Sequence, residues 1–164
     1  VIGAVVLAAG GSSRMRRPKA LLPFGSGGST FLATILDTLR EGSVAVVRVV
    51  VPPGHASWAG SDAAVNPDPA RGMLSSVQCG IRALPAAVDA LLLWPVDHPL
   101  VKPATLAEIT RAFRERGAPV VVPVHGGRRG HPGLFAARVV PEILAADPAS
   151  GAREVVHAHA DRLE

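Results

Sequence analysis

Apolar residues fall along this chain in two alternating rhythms. Apolar blocks, rich in Val and Leu, occupy Val1 to Ala8, Val44 to Val51 with Arg48 inside it, Ala90 to Trp94, and Val120 to Val124 with Pro123 inside it. Such blocks suit strands buried on both faces. Between them the apolar positions recur at helical spacing. Phe31, Ile35 and Leu39 form one stripe, with Ser29 or Thr30 placed to cap the helix and Gly42 to stop it near Glu41. Leu74, Val77, Ile81 and Leu84 form a second stripe, stopped by Pro85. Leu106, Ile109 and Phe113 form a third, opened by Pro103 and closed by Gly117. Smaller elements complete the pattern: a short helix over 55–61, a short strand at Ala63-Ala64-Val65, a turn at Asn66-Pro67-Asp68-Pro69, and two short helices over 139–146 and 151–160.

Strands that alternate with helices predict a mostly parallel sheet covered on both faces, a three-layer α/β/α arrangement of Rossmann-like type. Right-handed crossovers then bring the ligand loops to the carboxyl ends of the strands. The 164 residues suit a single domain over 1–164. The chain opens on Val1 rather than Met, which leaves room for a few native residues before it.

The first apolar block ends in a change of chemistry. Leu7-Ala8-Ala9-Gly10-Gly11-Ser12-Ser13 passes into Arg14-Met15-Arg16-Arg17-Pro18-Lys19, and no carboxylate precedes Asp37. Small residues let a ligand approach the backbone, free N–H groups of a Gly/Ser loop can cradle phosphate, and Arg and Lys supply countercharge. The same segment also suits a solvated basic turn. It is neither a Walker A loop nor a G-x-G-x-x-G fingerprint. A second candidate is Asp97, just past the strand that ends in Trp94-Pro95. A carboxylate at that edge suits Mg²⁺, which takes one or two carboxylates plus phosphate oxygens, but a lone Asp also commonly caps a helix or turn.

Composition narrows the classes. The net charge of +4 favours anionic partners. Aromatics are only 4% with no Tyr, and the cations outside the first loop are dispersed, so a small phosphorylated ligand is expected rather than nucleic acid. Hydrophobic content of 48% and a mean hydropathy of +0.31 argue for a folded chain. No apolar run reaches membrane-spanning length. The single Cys79 forms no internal disulfide, fits a cytoplasmic location, and falls in an apolar helical pattern that predicts packing.

The run Leu7-Ala8-Ala9-Gly10-x-Ser12-Ser13-Arg14-Met15-x-x-Pro18-Lys19-Ala20-Leu21-Leu22-Pro23 resembles the L-A-A-G-x-S-x-R-M-x-x-x-K-x-L-L-P signature of nucleotidyltransferases related to the molybdenum cofactor guanylyl- and cytidylyltransferases. Val96-Asp97-His98-Pro99 is similar to the family's G-D-x-P or V-D-x-P, Asn66-Pro67 to Ser76 to its N-P-x-x-x-x-G-M-x-x-S, and Gly130-His131-Pro132 to its G-H-P. The resemblance implies a nucleotidyltransferase fold. It also implies a nucleoside triphosphate held by Leu7, Ala8, Ala9, Gly10, Gly11, Ser12, Arg14 and Lys19, with Asn66, Gly72, Met73, Ser75 and Ser76 at base and ribose. Arg14, Lys19 and Asp97 would carry catalysis, Asp97 on Mg²⁺, with His98, Gly130, His131 and Pro132 facing the acceptor. Leu-Ala-Ala-Gly is closer to the cytidylyl-specific form, which points to CTP and a molybdopterin-type acceptor, and to a molybdoenzyme or chaperone as recipient. Relatives continue to a D-x-D-T-P-x-D segment with a second metal carboxylate, whereas this chain stops at Leu163-Glu164. A missing C-terminal segment, or a carboxylate from elsewhere, is the expectation that follows. A sugar phosphate as acceptor and a non-catalytic cofactor chaperone are the competing readings.

Overall fold

The computed structural model describes residues 1–10, 17–149 and 158–159. In chain order its strands and helices are β1 (Ile2–Leu7), β2 (Pro23–Phe24), β3 (Ser29–Thr30), α1 (Phe31–Glu41), β4 (Val46–Val51), β5 (Ala63–Val65), α2 (Met73–Ala83), β6 (Ala90–Pro95), α3 (Pro103–Arg116), β7 (Val120–Val121), β8 (Val124–His125), β9 (Arg128–Arg129), β10 (Gly133–Ala136) and α4 (Val140–Ala145). The main sheet runs β5-β4-β1-β6-β10-β7. β5, β4, β1 and β6 are parallel, while β10 lies antiparallel to both β6 and β7.

Strict alternation along the central strands builds the three layers. Ala4, Val6 and Ala8 of β1 and its extension, with Leu92 and Trp94 of β6, meet Leu32, Ile35 and Leu39 of α1 and Leu106 and Ile109 of α3. Val5, Leu7 and Ala9 point the other way, with Leu91 and Leu93, against Leu74, Val77 and Ile81 of α2 and Ile143 of α4. The fit on this second face depends on Gly80. A methyl group there would stand 2.3 Å from Val5 Cγ1 and 2.8 Å from Val50 Cγ2, so only glycine lets α2 lie this close to the sheet. Gln78, also on α2, is buried and donates from Nε2 to the carbonyls of Ile143 (3.0 Å) and Ala146 (2.8 Å), which satisfies the open end of α4.

The expected caps are present in part. Thr30 Oγ1 accepts from the Ala33 N–H at 3.2 Å and starts α1, and Gly117 ends α3 in the left-handed region at φ 59°. Three expectations are corrected. Residues 55–61 form two single 3₁₀ turns, Ala56–Trp58 and Gly60–Asp62, with Gly60 at a positive φ of 55° interrupting any continuous helix. The strand expected over Val120 to Val124 ends at Val121, where Pro123 prevents continuation, and the chain then turns into the β8–β9 hairpin. The third is β10, whose four residues carried no separate signal. It returns between β6 and β7, so the segment from 122 to 132 is left at the same sheet edge as the end of β6. The helix expected over 151–160 falls almost wholly outside the described residues. Among the described residues, no helix is long and apolar enough to cross a membrane.

Candidate functional site

β1 is the strand from which the connections leave in opposite directions, to β4 on one side and toward β6 on the other. In open α/β sheets this switch point opens a crevice beyond the strand ends. A cleft of about 340 Å³ lies there, lined by Leu7, Ala8 and Gly10 from the end of β1, by Pro95, Val96 and Asp97 from the end of β6, by Lys19, and by Pro69, Gly72, Met73 and Ser76.

The turn that carries Asp97 is anchored from beneath. Trp94 is fully buried, and its Nε1–H donates to the His98 carbonyl at 3.0 Å. The Val96 N–H donates to the Leu7 carbonyl at 3.1 Å, which ties the β1 and β6 ends together. Lys19 Nζ reaches Asp97 Oδ2 at 3.0 Å across 78 residues of sequence. Burial works to raise the Asp97 pKa, but the Lys19 hydrogen bond and charge, with His98, outweigh it and hold the carboxyl below its ordinary value. The pair therefore stands as an ion pair at the mouth of the cleft.

His98 Nε2 lies 3.6 Å from Asp97 Oδ1, and its ring packs on that of His131 with centroids 4.6 Å apart. Burial, and then the proximity of His98, push the His131 pKa down, so its imidazole is neutral near pH 7. Gly130 closes the β8–β9 hairpin by donating its N–H to the Pro123 carbonyl at 2.8 Å, and Pro132 is buried beside it. The four residues expected on the acceptor side thus share the edge next to Asp97.

On the opposite wall, Gly72 holds φ 102° and ψ 172°, a conformation open only to glycine, and delivers the chain into α2. Met73 is 60% exposed at the cleft, a position its helical spacing alone does not reveal. Ser76 lines the cleft, whereas Ser75 turns its hydroxyl to the Gly72 carbonyl at 2.7 Å. Asn66 is buried behind this wall, and Ala9 packs into the α2 face of the core. Of the expected loop residues, Gly11, Ser12 and Arg14 lie outside the described residues. Pro69, Pro95 and Val96 line the cleft without having been singled out in the sequence. Their signal was adjacency to Gly72 and Asp97.

Asp97 suits a divalent cation as a single donor, being ionised, about 43% exposed and at the cleft edge. Among the described residues, no group of three or more His, Cys, Asp or Glu side chains is placed to hold a metal ion. That donor set fits Mg²⁺ shared with substrate phosphates rather than a closed protein cage.

A mostly parallel sheet whose switch point presents small residues, a lysine and a carboxylate defines an α/β protein with its ligand crevice beyond the strand ends. Residues 4–163 match the model of the MobA-like NTP transferase domain, and the chain belongs to that family of nucleotidyltransferases. It is 36% identical to a probable molybdenum cofactor guanylyltransferase of Rhodopirellula baltica over 72% of this chain and 58% of that protein. It is 35% identical to the bifunctional protein GlmU of Nitrobacter hamburgensis over 72% of this chain and 27% of that one. The chain thus spans less than two thirds of the length of these relatives. Among solved structures, Rv0371c of Mycobacterium tuberculosis superposes with a TM-score of 0.85 at 27% identity, covering 99% of this chain and 85% of that one. The same mycobacterial protein in complex with manganese aligns at 0.77 with 26% identity, covering 95% and 82%.

Proposed function

We propose that this domain transfers a nucleoside monophosphate from a nucleoside triphosphate to the phosphate of a molybdopterin-type acceptor, with release of pyrophosphate. The observation that carries the reading is the Lys19–Asp97 pair at 3.0 Å, set at the switch point beside the Leu7–Gly10 turn. The Ala8 N–H is already given to the Val50 carbonyl, and Gly10, farther along the turn, lines the cleft where a backbone amide can meet phosphate. Lys19 leaves Asp97 for the triphosphate and balances charge on the departing pyrophosphate, joined by Arg14 from the same loop. Asp97 would hold a divalent cation, which would supply charge neutralisation to phosphate oxygens. The acceptor phosphate is ionised at neutral pH and attacks the α-phosphorus in line, so positioning and charge balance account for the rate without a strong general base. Gly72 and Met73 bring the backbone and an apolar side chain to the base, Ser76 gives a hydroxyl to the nucleoside, and His98 and His131 face the acceptor.

The Leu-Ala-Ala-Gly turn favours CTP. GTP is the second reading, favoured by the 36% identity to a relative named as a guanylyltransferase. Pyrophosphate release from CTP, GTP and ATP, each with Mg²⁺ and molybdopterin, tests both. Release from CTP alone supports the first reading, and release from GTP alone transfers the specificity. Tight CTP binding without release in any combination would reduce the domain to a nucleotide-binding module.

A further inference from the structure

Asn66 spends every amide hydrogen it has. Its side chain is 4% exposed, and Nδ2 donates to Ser75 Oγ at 3.0 Å and to Ser76 Oγ at 2.9 Å. Its Oδ1 accepts from the Asp68 backbone N–H at 3.1 Å. That N–H can only donate, so the atom facing it must be the oxygen, and the serines must face the NH₂ group. The polarity of the cluster is therefore fixed by the backbone. Ser75 passes its own hydrogen on to the Gly72 carbonyl. Ser76 does not: it is 5% exposed, lines the cleft, accepts from Asn66, and its hydroxyl hydrogen has no acceptor among the described residues. A buried hydroxyl with an unspent hydrogen at a cleft wall is poised for an acceptor on a ligand.

We infer that Asn66 is a positioning residue that occupies a lone pair of the Ser76 oxygen and so turns the Ser76 hydrogen into the cleft, where it donates to an acceptor atom on the nucleoside half of the bound nucleotide. The inference rests on the nucleotide reading given above. The nucleoside half is assigned because Ser76 shares its wall with Pro69, Gly72 and Met73, whereas the cation Lys19 faces Asp97.

The test compares Asn66→Asp, Ser76→Ala and the double variant with the wild type in calorimetric titrations with CTP, CMP, GTP and GMP in Mg²⁺. A carboxylate has no hydrogen to give, so Asn66→Asp draws the serine hydrogens inward. Ser76→Ala is expected to weaken triphosphate and monophosphate by the same factor, about tenfold. Asn66→Asp weakens both at least as much, and the double variant is no worse than Asn66→Asp alone. In turnover, KM rises while kcat holds, the mark of a contact made equally in ground and transition states. Losses that multiply in the double variant, or normal binding by Asn66→Asp, overturn the inference. If Asn66→Asp does not fold, Asn66→Ala replaces it. A loss there that disappears in the Ser76→Ala background supports the inference, and one that multiplies overturns it. Lys19→Ala separates the two layers, since it weakens triphosphate far more than monophosphate. If Lys19→Ala behaves so while the Asn66 and Ser76 variants bind normally, only the inference falls. If the wild type binds none of the four nucleotides, the reading of the site falls with it.

Discussion

Replacing Asp97 by Asn separates folding from the proposed chemistry because the expected effects on the two differ widely in size. The Lys19 and Asp97 side chains are 40% and 43% exposed. An ion pair that open to solvent contributes about 0–1 kcal/mol. For a chain of this length each kcal/mol moves Tm by about 2–4 °C, so Asp97→Asn should melt within about 4 °C of the wild type. Asn keeps the size of the side chain and its place above Trp94 but loses the charge. On the proposed mechanism it would neither hold a divalent cation firmly nor set Lys19 against the phosphates. Loss of one well-placed electrostatic group in an active site commonly costs about 2.7–4 kcal/mol in the transition state, or about 100- to 1,000-fold in rate. The assay is Mg²⁺-dependent pyrophosphate release, read beside a thermal melt of the same preparation. Turnover within about threefold of the wild type in a folded Asp97→Asn protein would remove the carboxylate from the mechanism.

Further outcomes follow from the packing and the shifted groups. Gly80→Ala gains about 1 kcal/mol of helix propensity but forces a methyl group onto the fully buried Val5 and Val50, at a cost of about 1–3 kcal/mol or more. A net drop in Tm is expected, and a more stable variant would refute the close approach of α2 to the sheet. Lys19→Met should raise the Asp97 carboxyl pKa in an NMR titration, since burial would then act with less opposition. The sign for stability is fixed by the lowered folded value. The contribution of Asp97 is present above the unfolded value of about 3.9 and is lost as pH falls through the folded one. An unchanged titration in Lys19→Met would contradict the pairing. Burial pushes the Cys79 thiol up against the lowering influence of Arg82, and its Sγ donates to the Val65 carbonyl at 3.3 Å. Iodoacetamide should therefore label native protein at pH 8 much more slowly than protein unfolded in urea, and equal rates would count against that burial.

The elements with the longest hydrophobic signals were legible in the sequence: β1, β4 and β6 as apolar blocks, and α1, α2 and α3 as stripes with caps or stops. So was the meeting of Lys19 with Asp97, because both follow strands that a parallel sheet must bring to one edge. What escaped was short or depended on burial. β10 has four residues, too few for a period, and its neighbours Gly130 and Pro132 read as a turn. Asn66, next to Pro67, reads in the sequence as a turn residue, and only the family resemblance implies a place at base and ribose. Only the fold shows its amide turned inward onto two serines. Met73 lies outside the α2 stripe, and the resemblance implied a place at the nucleotide; it stands at the first position of α2, 60% exposed, where the helix overhangs the cleft.

The antiparallel return of β10 separates two tasks within one fold. Because it re-enters the sheet between β6 and β7, the exposed hairpin over 124–129 hangs between two anchored ends at the edge where β6 delivers Asp97. On the proposed function, lengthening or recomposing that tip would change what docks against His98 and His131 while leaving the buried interior in place. On that reading the nucleotide end of the cleft can stay fixed while the edge that meets the second substrate is altered.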